Sequence, residues 1–295
     1  MRFLVAGRGG GALVESRAEA FETMVDARRP LEVRLWQARR WHKRLAAAMI
    51  LENAGKTGFL FYSPPAANGV DSPALVRVIR TASQDAIARG LSLTQSLVAP
   101  DARDDIGILR SAGYELLAEL DYMRLNLDSQ SPADDPADLT WRTYGQFDEG
   151  ELSELIVATY AGSLDCPRLS GVRPIGDVIA GHKATGLFRP ESWWIVSCSG
   201  SPAGCILVND STTSPAAEVV YMGVAPAQRG KGIARRMLRK AAAAARHRGR
   251  AALTLAVDAA NVHARGVYEA EGFQPVDRRF AYAMIQPTGS GERKC

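Results

Sequence analysis

The chain has 295 residues, room for two domains of about 130–150 residues each, and its 46% hydrophobic and 23% charged content excludes a disordered or fibrous protein. A net charge of +4 is mild and singles out no class of partner. No apolar run approaches the roughly 18 residues of a membrane span, and Arg2–Ala6 is too short to begin a signal peptide, so no membrane partner is expected. The four cysteines (Cys166, Cys198, Cys205, Cys295) form no C-x-x-C pair and no metal-type spacing with the four histidines. Reduced thiols, no metal and a cytoplasmic location are expected.

In chain order, an apolar strand at Phe3–Ala6 leads through Gly7-Arg8-Gly9-Gly10-Gly11-Ala12 into a helix over Leu13–Ala27. The glycine spacing is that of a dinucleotide turn. The next strand, Leu31–Trp36, offers no carboxylate near its end for a ribose hydroxyl, so a plain turn is the better reading. Gly55-Lys56-Thr57 looks like the tail of a phosphate loop, but Ile50 stands where that loop needs glycine. It reads instead as a hairpin turn between strands 46–52 and 58–62. A helix over 73–88 follows, stopped by Arg89-Gly90, then a strand over 91–98, a helix to about Ala112, Gly113-Tyr114 and a strand over 117–127.

Residues 128–138 (DSQSPADDPAD) are acidic, polar and carry two prolines, which marks a linker between domains 1–127 and 139–295. Beyond it come a strand over 139–143, helices over 148–160 and 175–183, and a hairpin of 193–199 with 204–209 around Gly200-Ser201-Pro202. A strand over 218–224, a long helix from about Gly232, a strand over 252–257, a helix over 261–271 and a strand near 280–285 complete the chain.

The two halves read as one unit repeated. Gly249 lies 159 residues after Gly90, as Gly272 lies after Gly113 and Gly266 after Gly107. At that offset helix 73–88 falls on 232–247, while Gly230, Lys231, Gly232 and Ala234 meet Asp71, Ser72, Pro73 and Leu75. An aspartate and a proline without an N–H are poor phosphate receptors, so the first half keeps the scaffold without the site.

The second half's own stretch, Glu218 to Lys240, runs from strand through a glycine-bearing turn into a helix N-terminus, which is a phosphate cradle. Arg229-Gly230-Lys231-Gly232-Ile233-Ala234 resembles the acetyl-CoA motif of the GNAT acetyltransferases (Gln/Arg-x-x-Gly-x-Gly/Ala). Asn261, Ala264, Tyr268 and Gly272-Phe273 are similar to that family's second signature. The likeness covers about 139–287 and extends weakly over the first half, as in tandem GNAT proteins with one degenerate copy. It implies an α/β (α+β) architecture of two tandem acyl-CoA N-acyltransferase-like domains, each a mixed, mostly antiparallel sheet flanked by helices. The activity it implies is an acetyl-CoA-dependent N-acetyltransferase in which an amine attacks directly in a ternary complex.

From the same resemblance, cofactor contacts are expected at Met222, Gly223, Val224, Arg229, Gly230, Lys231, Gly232, Ile233, Ala234, Arg235, Asn261 and Ala264. Tyr268 would protonate the leaving thiolate and Glu218 would take the proton of the amine. Each also has a plainer use: Tyr268 as a core aromatic, Asn261 as a helix cap, Glu218 as a strand-edge charge. Asp165, Cys166, Arg173 and His182 are candidates for the acceptor side, the acceptor being a small-molecule or peptide amine. The basic run from Arg229 to Arg250 has no acid between its members and no interleaved aromatic, so a solvated helix face is expected rather than nucleic acid. A non-catalytic acyl-CoA-binding regulatory or interaction module is the alternative. The first domain is expected to be structural, walling the acceptor cleft or forming a subunit contact in a homodimer.

Overall fold

The structure, a computed structural model, describes residues 33–67, 69–128 and 138–286. The expected strand at 3–6, glycine turn at 7–12 and helix at 13–27 lie outside the described residues, as does most of the linker. In chain order the strands are β1 (Val33–Arg40), β2 (Lys43–Asn53), β3 (Thr57–Tyr62), β4 (Leu93–Val98), β5 (Glu115–Asn126), β6 (Leu139–Thr143), β7 (Trp193–Cys198), β8 (Ser201–Asp210), β9 (Ala216–Val224), β10 (Ala252–Asp258) and β11 (Gln274–Ile285). The helices are α1 (Ser72–Ala88), α2 (Arg103–Ala112), α3 (Glu149–Tyr160), α4 (Ile175–Ala184), α5 (Ile233–His247) and α6 (Val262–Ala270).

Two compact units emerge. One takes the chain up to Ala118 together with residues from Arg279 onward; the other is Glu119–Arg278. This division differs from the linker-based one at 127 and 139 by two strands. Most of β5 belongs to the second unit, where it pairs antiparallel with β10 (Ala252 opposite Asn126). The end of β11 belongs to the first, where it pairs antiparallel with β4 (Leu93 opposite Ile285). Both partners stand at the 159-residue offset, so each unit takes its last strand from the other half of the sequence. Composition marks the linker but carries no information about strand partners, because both strands are equally apolar.

In the first unit the order is β1-β2-β3-β4-β11, with β3 and β4 parallel and the rest antiparallel. Gly55 and Lys56 sit in the β2–β3 turn at φ of 80° and 55°, where the sequence places a hairpin. The buried stripe of α1 (Leu75, Ile79, Ala82, Ala86) packs with Ala48, Ile50, Leu109 and Tyr282.

In the second unit the order is β5-β10-β9-β8-β7-β6, with only β10 and β9 parallel. This is the mixed, mostly antiparallel sheet flanked by helices. On one face α5 buries Ile233, Met237, Leu238, Ala241 and Ala245, a helical stripe, against Val208, Val219, Leu253 and Leu255. On the other, α3 and α4 bury Leu152, Ile156 and Ile179 against Trp193, Ile195, Cys205 and Leu207.

Candidate functional site

The site begins where β9 leaves β10. The two pair in parallel only at Ala216–Glu218, opposite Ala252–Thr254, and the Thr254 hydroxyl donates to the Ala217 carbonyl at 3.1 Å just at the fork. On its other side β9 stays paired with β8 out to Val224, so the divergence lies between β9 and β10. A register shift leaves Val220 as an extra residue, since Leu207 faces Tyr221 while Val208 faces Val219. Such a bulge bends one strand away from its neighbour. Residues 221–224, which include the expected Met222, Gly223 and Val224, thus turn one backbone edge away from the β10 ladder.

Beside this edge α5 begins. Gly230 and Gly232 have φ of 78° and 75°, a region where other residues are strained, and a Cβ on either would meet nothing within 4 Å. Their requirement is conformational, not steric. Gly232 is the N-cap, no side chain caps the helix, and its first turn holds no acid. The opening N–H groups of this 15-residue helix, at Ile233, Ala234 and Arg235, therefore carry the positive end of the dipole with no acid in their own turn to offset it.

Two of the expected side chains have partners within the chain. The Arg229 guanidinium donates to the carbonyls of Thr159 (2.9 Å), Val224 (3.2 Å) and Gly162 (3.4 Å), tying the turn to the C-terminal end of α3. Arg235 pairs with Glu271 at 2.6 Å. The Arg229 guanidinium is thus taken up on all three nitrogens, while Arg235 is engaged through Nε alone. Lys231 is exposed and donates to Gln228 at 2.9 Å.

The second signature gathers on α6. Asn261 is its N-cap and its Oδ1 accepts the Ala264 N–H at 3.2 Å, so capping takes one end of the amide and leaves Nδ2. Tyr268 is buried at 7% exposure, tilted against Phe273 with centroids 5.8 Å apart, and its hydroxyl has no hydrogen-bond partner among the described residues. Burial, helped by the charge of Asp165, pushes its phenol above the ordinary value and keeps it a proton donor.

Comparisons with known proteins bear on the fold around these residues. Residues 163–273 match the model of the acetyltransferase (GNAT) family. The second unit carries a GNAT domain. A GCN5-related N-acetyltransferase from Sphaerobacter thermophilus shares the fold at a TM-score of 0.63 and 19% identity, over 90% of this chain and 85% of that one. One from Kribbella flavida gives 0.55 and 13%, over 91% and 94%. A tandem GNAT protein from the clavulanic acid biosynthesis pathway gives 0.50 and 16%, over 90% and 85%. No curated protein matches the chain significantly.

Glu218 lies on the GNAT domain's other face. Ala217 and Val219 belong to the α5 core, so strand alternation turns Glu218 toward α3 and α4. It is half-buried, and burial raises its carboxyl above the ordinary value. Farther along, the Tyr221 and Thr159 hydroxyls meet at 2.5 Å. A Cβ on Gly223 would stand 2.5 Å from Thr159 Oγ1, so glycine here is a matter of space. Tyr160 meets Tyr221 edge-on at 6.3 Å, and His182 lies 5.5 Å from the Tyr221 ring. Burial and the charge of Arg173 hold His182 down at about 4, neutral under ordinary conditions.

Asp165 and Cys166 complete this wall. The Cys166 thiol, pushed up to about 12 by burial and by Asp165 and Asp258, is no nucleophile. Thr159 and Asp258 escaped the sequence reading; Tyr221 entered it only through its backbone, in the strand edge 221–224 that the GNAT resemblance splays around a bulge, and not as a side chain of this wall.

The basic run is engaged within the fold. Arg235 and Arg239 share Glu271, Arg236 pairs with Asp138, Arg248 with buried Asp210, and Lys240 lies over the Trp141 ring at 4.9 Å. The acids come from distant positions, so the run reads as bare only in the linear sequence. Among the described residues no helix is long and apolar enough to cross a membrane.

Proposed function

We propose that the protein is an N-acetyltransferase that moves the acetyl group of acetyl-CoA to an amine in a ternary complex. The observation that carries the reading is the fork after Glu218, which turns the edge of residues 221–224 out beside the uncapped N-terminus of α5. A pyrophosphate suits the N–H groups of residues 232–235, and a pantetheine arm with its amides suits the open edge. Asn261, through Nδ2, and Ala264 flank the same path.

Acetyl-CoA would supply an acetyl group activated as a thioester. Glu218 accepts a proton from the amine, which frees the nitrogen lone pair to bond the carbonyl carbon. As the carbon–sulfur bond breaks, the nitrogen loses its second proton to solvent and Tyr268 gives its phenolic proton to the departing sulfur. The raised values of both groups suit these roles: a carboxylate of increased basicity and a phenol held protonated. Proton transfer from Glu218 back to Tyr268 through solvent closes the cycle.

The test is release of free CoA thiol over a panel of primary amines. Turnover by the native chain and its loss in Tyr268→Phe are expected. Binding of acetyl-CoA with no amine ever consumed would leave the non-catalytic module as the better description.

A further inference from the structure

The β1–β2 hairpin of the first unit takes no part in the transfer steps, and its tip is unfavourably built. The turn is Trp41-His42, between paired Arg40 and Lys43, and one pair further back Arg39 stands opposite Arg44. Both cross-strand pairs are like-charged, an arrangement that destabilises a hairpin. The Arg39 and Arg44 guanidiniums converge on one neutral acceptor, each donating from Nε to Gln37 Oε1 at 3.2 Å. Among the described residues Arg39, Arg40 and Lys43 have no ion-pair partner. Asp71, whose N–H donates to the Leu45 carbonyl at 2.9 Å, turns its carboxylate to the Ala74 N–H at the start of α1.

Trp41 itself is 88% exposed and has φ of 54°, a left-handed conformation that disfavours a bulky side chain. Tight hairpin turns favour pairs such as Asn-Gly, which carry neither a large ring nor a charge. Repelling cations, a left-handed tryptophan and an open indole thus meet at one turn. The α5 run offers no such surface, because its cations are paired with acids and no aromatic stands among them. At the hairpin a ring stands between two pairs of cations. That is the pattern of a nucleic-acid contact.

We infer that this hairpin tip docks single-stranded nucleic acid, with Trp41 stacked on a base and the flanking cations on the neighbouring phosphates. A polyanion relieves the like-charge pairs that the free hairpin carries. Every base has a face for the indole, so the contact is tolerant of sequence. In a duplex those faces are covered by neighbouring bases, and a single strand is preferred. A lipid surface suits the tip less well. One indole is smaller than the single acyl chain that itself anchors only marginally. None of these residues belongs to the acetyl-transfer site, so the inference stands apart from that reading.

The experiment is fluorescence anisotropy of a labelled oligo(dT) of about 12 nucleotides, titrated with the intact chain at several salt concentrations. Binding should weaken with salt at a log–log slope of about −2 to −3, as for three or four phosphate contacts. Trp41→Ala should lose about tenfold or more in affinity, and Trp41→Phe much less, since any aromatic face stacks. Arg40→Gln should reduce the slope by about 0.7 and raise the melting temperature, because it removes one phosphate contact and one like-charge pair. The same strand annealed to its complement should bind more weakly. No binding at low salt, or equal affinity in Trp41→Ala, would overturn the inference. So would displacement of the oligonucleotide by excess CoA, which would put it at the start of α5. Phosphatidylglycerol vesicles held through Trp41, with the oligonucleotide left unbound, would make the partner a lipid surface instead.

Discussion

Helices α1 and α5 begin at equivalent places in the two units and meet their opening N–H groups in opposite ways. At α1, Asp71 caps the helix with its own carboxylate, which accepts the Ala74 N–H at 2.7 Å, and Pro73 follows with no N–H to give. At α5 the same positions are Gly230 and Gly232, and no side chain caps. The strands before them differ in the same sense. β3 and β4 pair in parallel at Thr57–Phe59, the counterparts of Ala216–Glu218 in β9. After Tyr62, however, β3 ends in Ser63-Pro64-Pro65, where β9 continues as Met222, Gly223 and Val224. Two prolines remove two of the donors that a pantetheine arm would need. The core has changed too. A hydroxyl cluster of Ser83, Thr94 and Tyr114, each contact 2.7 Å, stands where the second unit has Ala242, Leu253 and Phe273. What distinguishes the units is whether backbone N–H groups are satisfied by the chain itself.

That contrast can be broken most severely at Gly232. Replacing it with Asp puts a strained residue and a negative charge where phosphate is expected. Acetyl-CoA affinity should fall by about 100-fold or more in calorimetry, whereas Asp71→Ala should cost about 1 kcal/mol of stability and leave affinity alone. The next largest effect belongs to Tyr268→Phe, which should lower kcat by about 10²–10⁴-fold. Since the hydroxyl has no partner, the melting temperature and CoA affinity should not move.

A smaller effect concerns pH. Glu218 works as a base only when ionised, and its carboxyl is raised, so kcat/KM should fall as pH drops through a value above the ordinary carboxylate range. Glu218→Gln should flatten that acidic limb. The smallest change is Tyr114→Phe in the first unit. Leaving Ser83 and Thr94 short of a partner should cost about 1–3 kcal/mol in chemical denaturation without altering kcat or KM.

Much of this contrast was legible in the residues. The glycine spacing, the Asn261–Tyr268 interval and the Asp71-Ser72-Pro73 counterpart are local signals, and local signals survive in sequence. Strand bounds were also close, β6 matching its expected 139–143. Three features were not legible. The exchange of β5 and β11 depends on pairing between distant segments of equal apolarity. The GNAT resemblance implies a bulge beside Tyr221–Val224, but its place at Val220 depends on register, which strand composition does not encode. The partners of Arg229 and Arg235 are carbonyls and Glu271, acceptors that only the fold brings near.

The most direct measurement is the number of CoA molecules bound per chain, by calorimetry on the intact protein. We expect one, lost in Gly232→Asp and unaffected by substitution at Ser72. Two molecules per chain, or one that survives Gly232→Asp, would contradict the view that the first unit keeps the scaffold without the site.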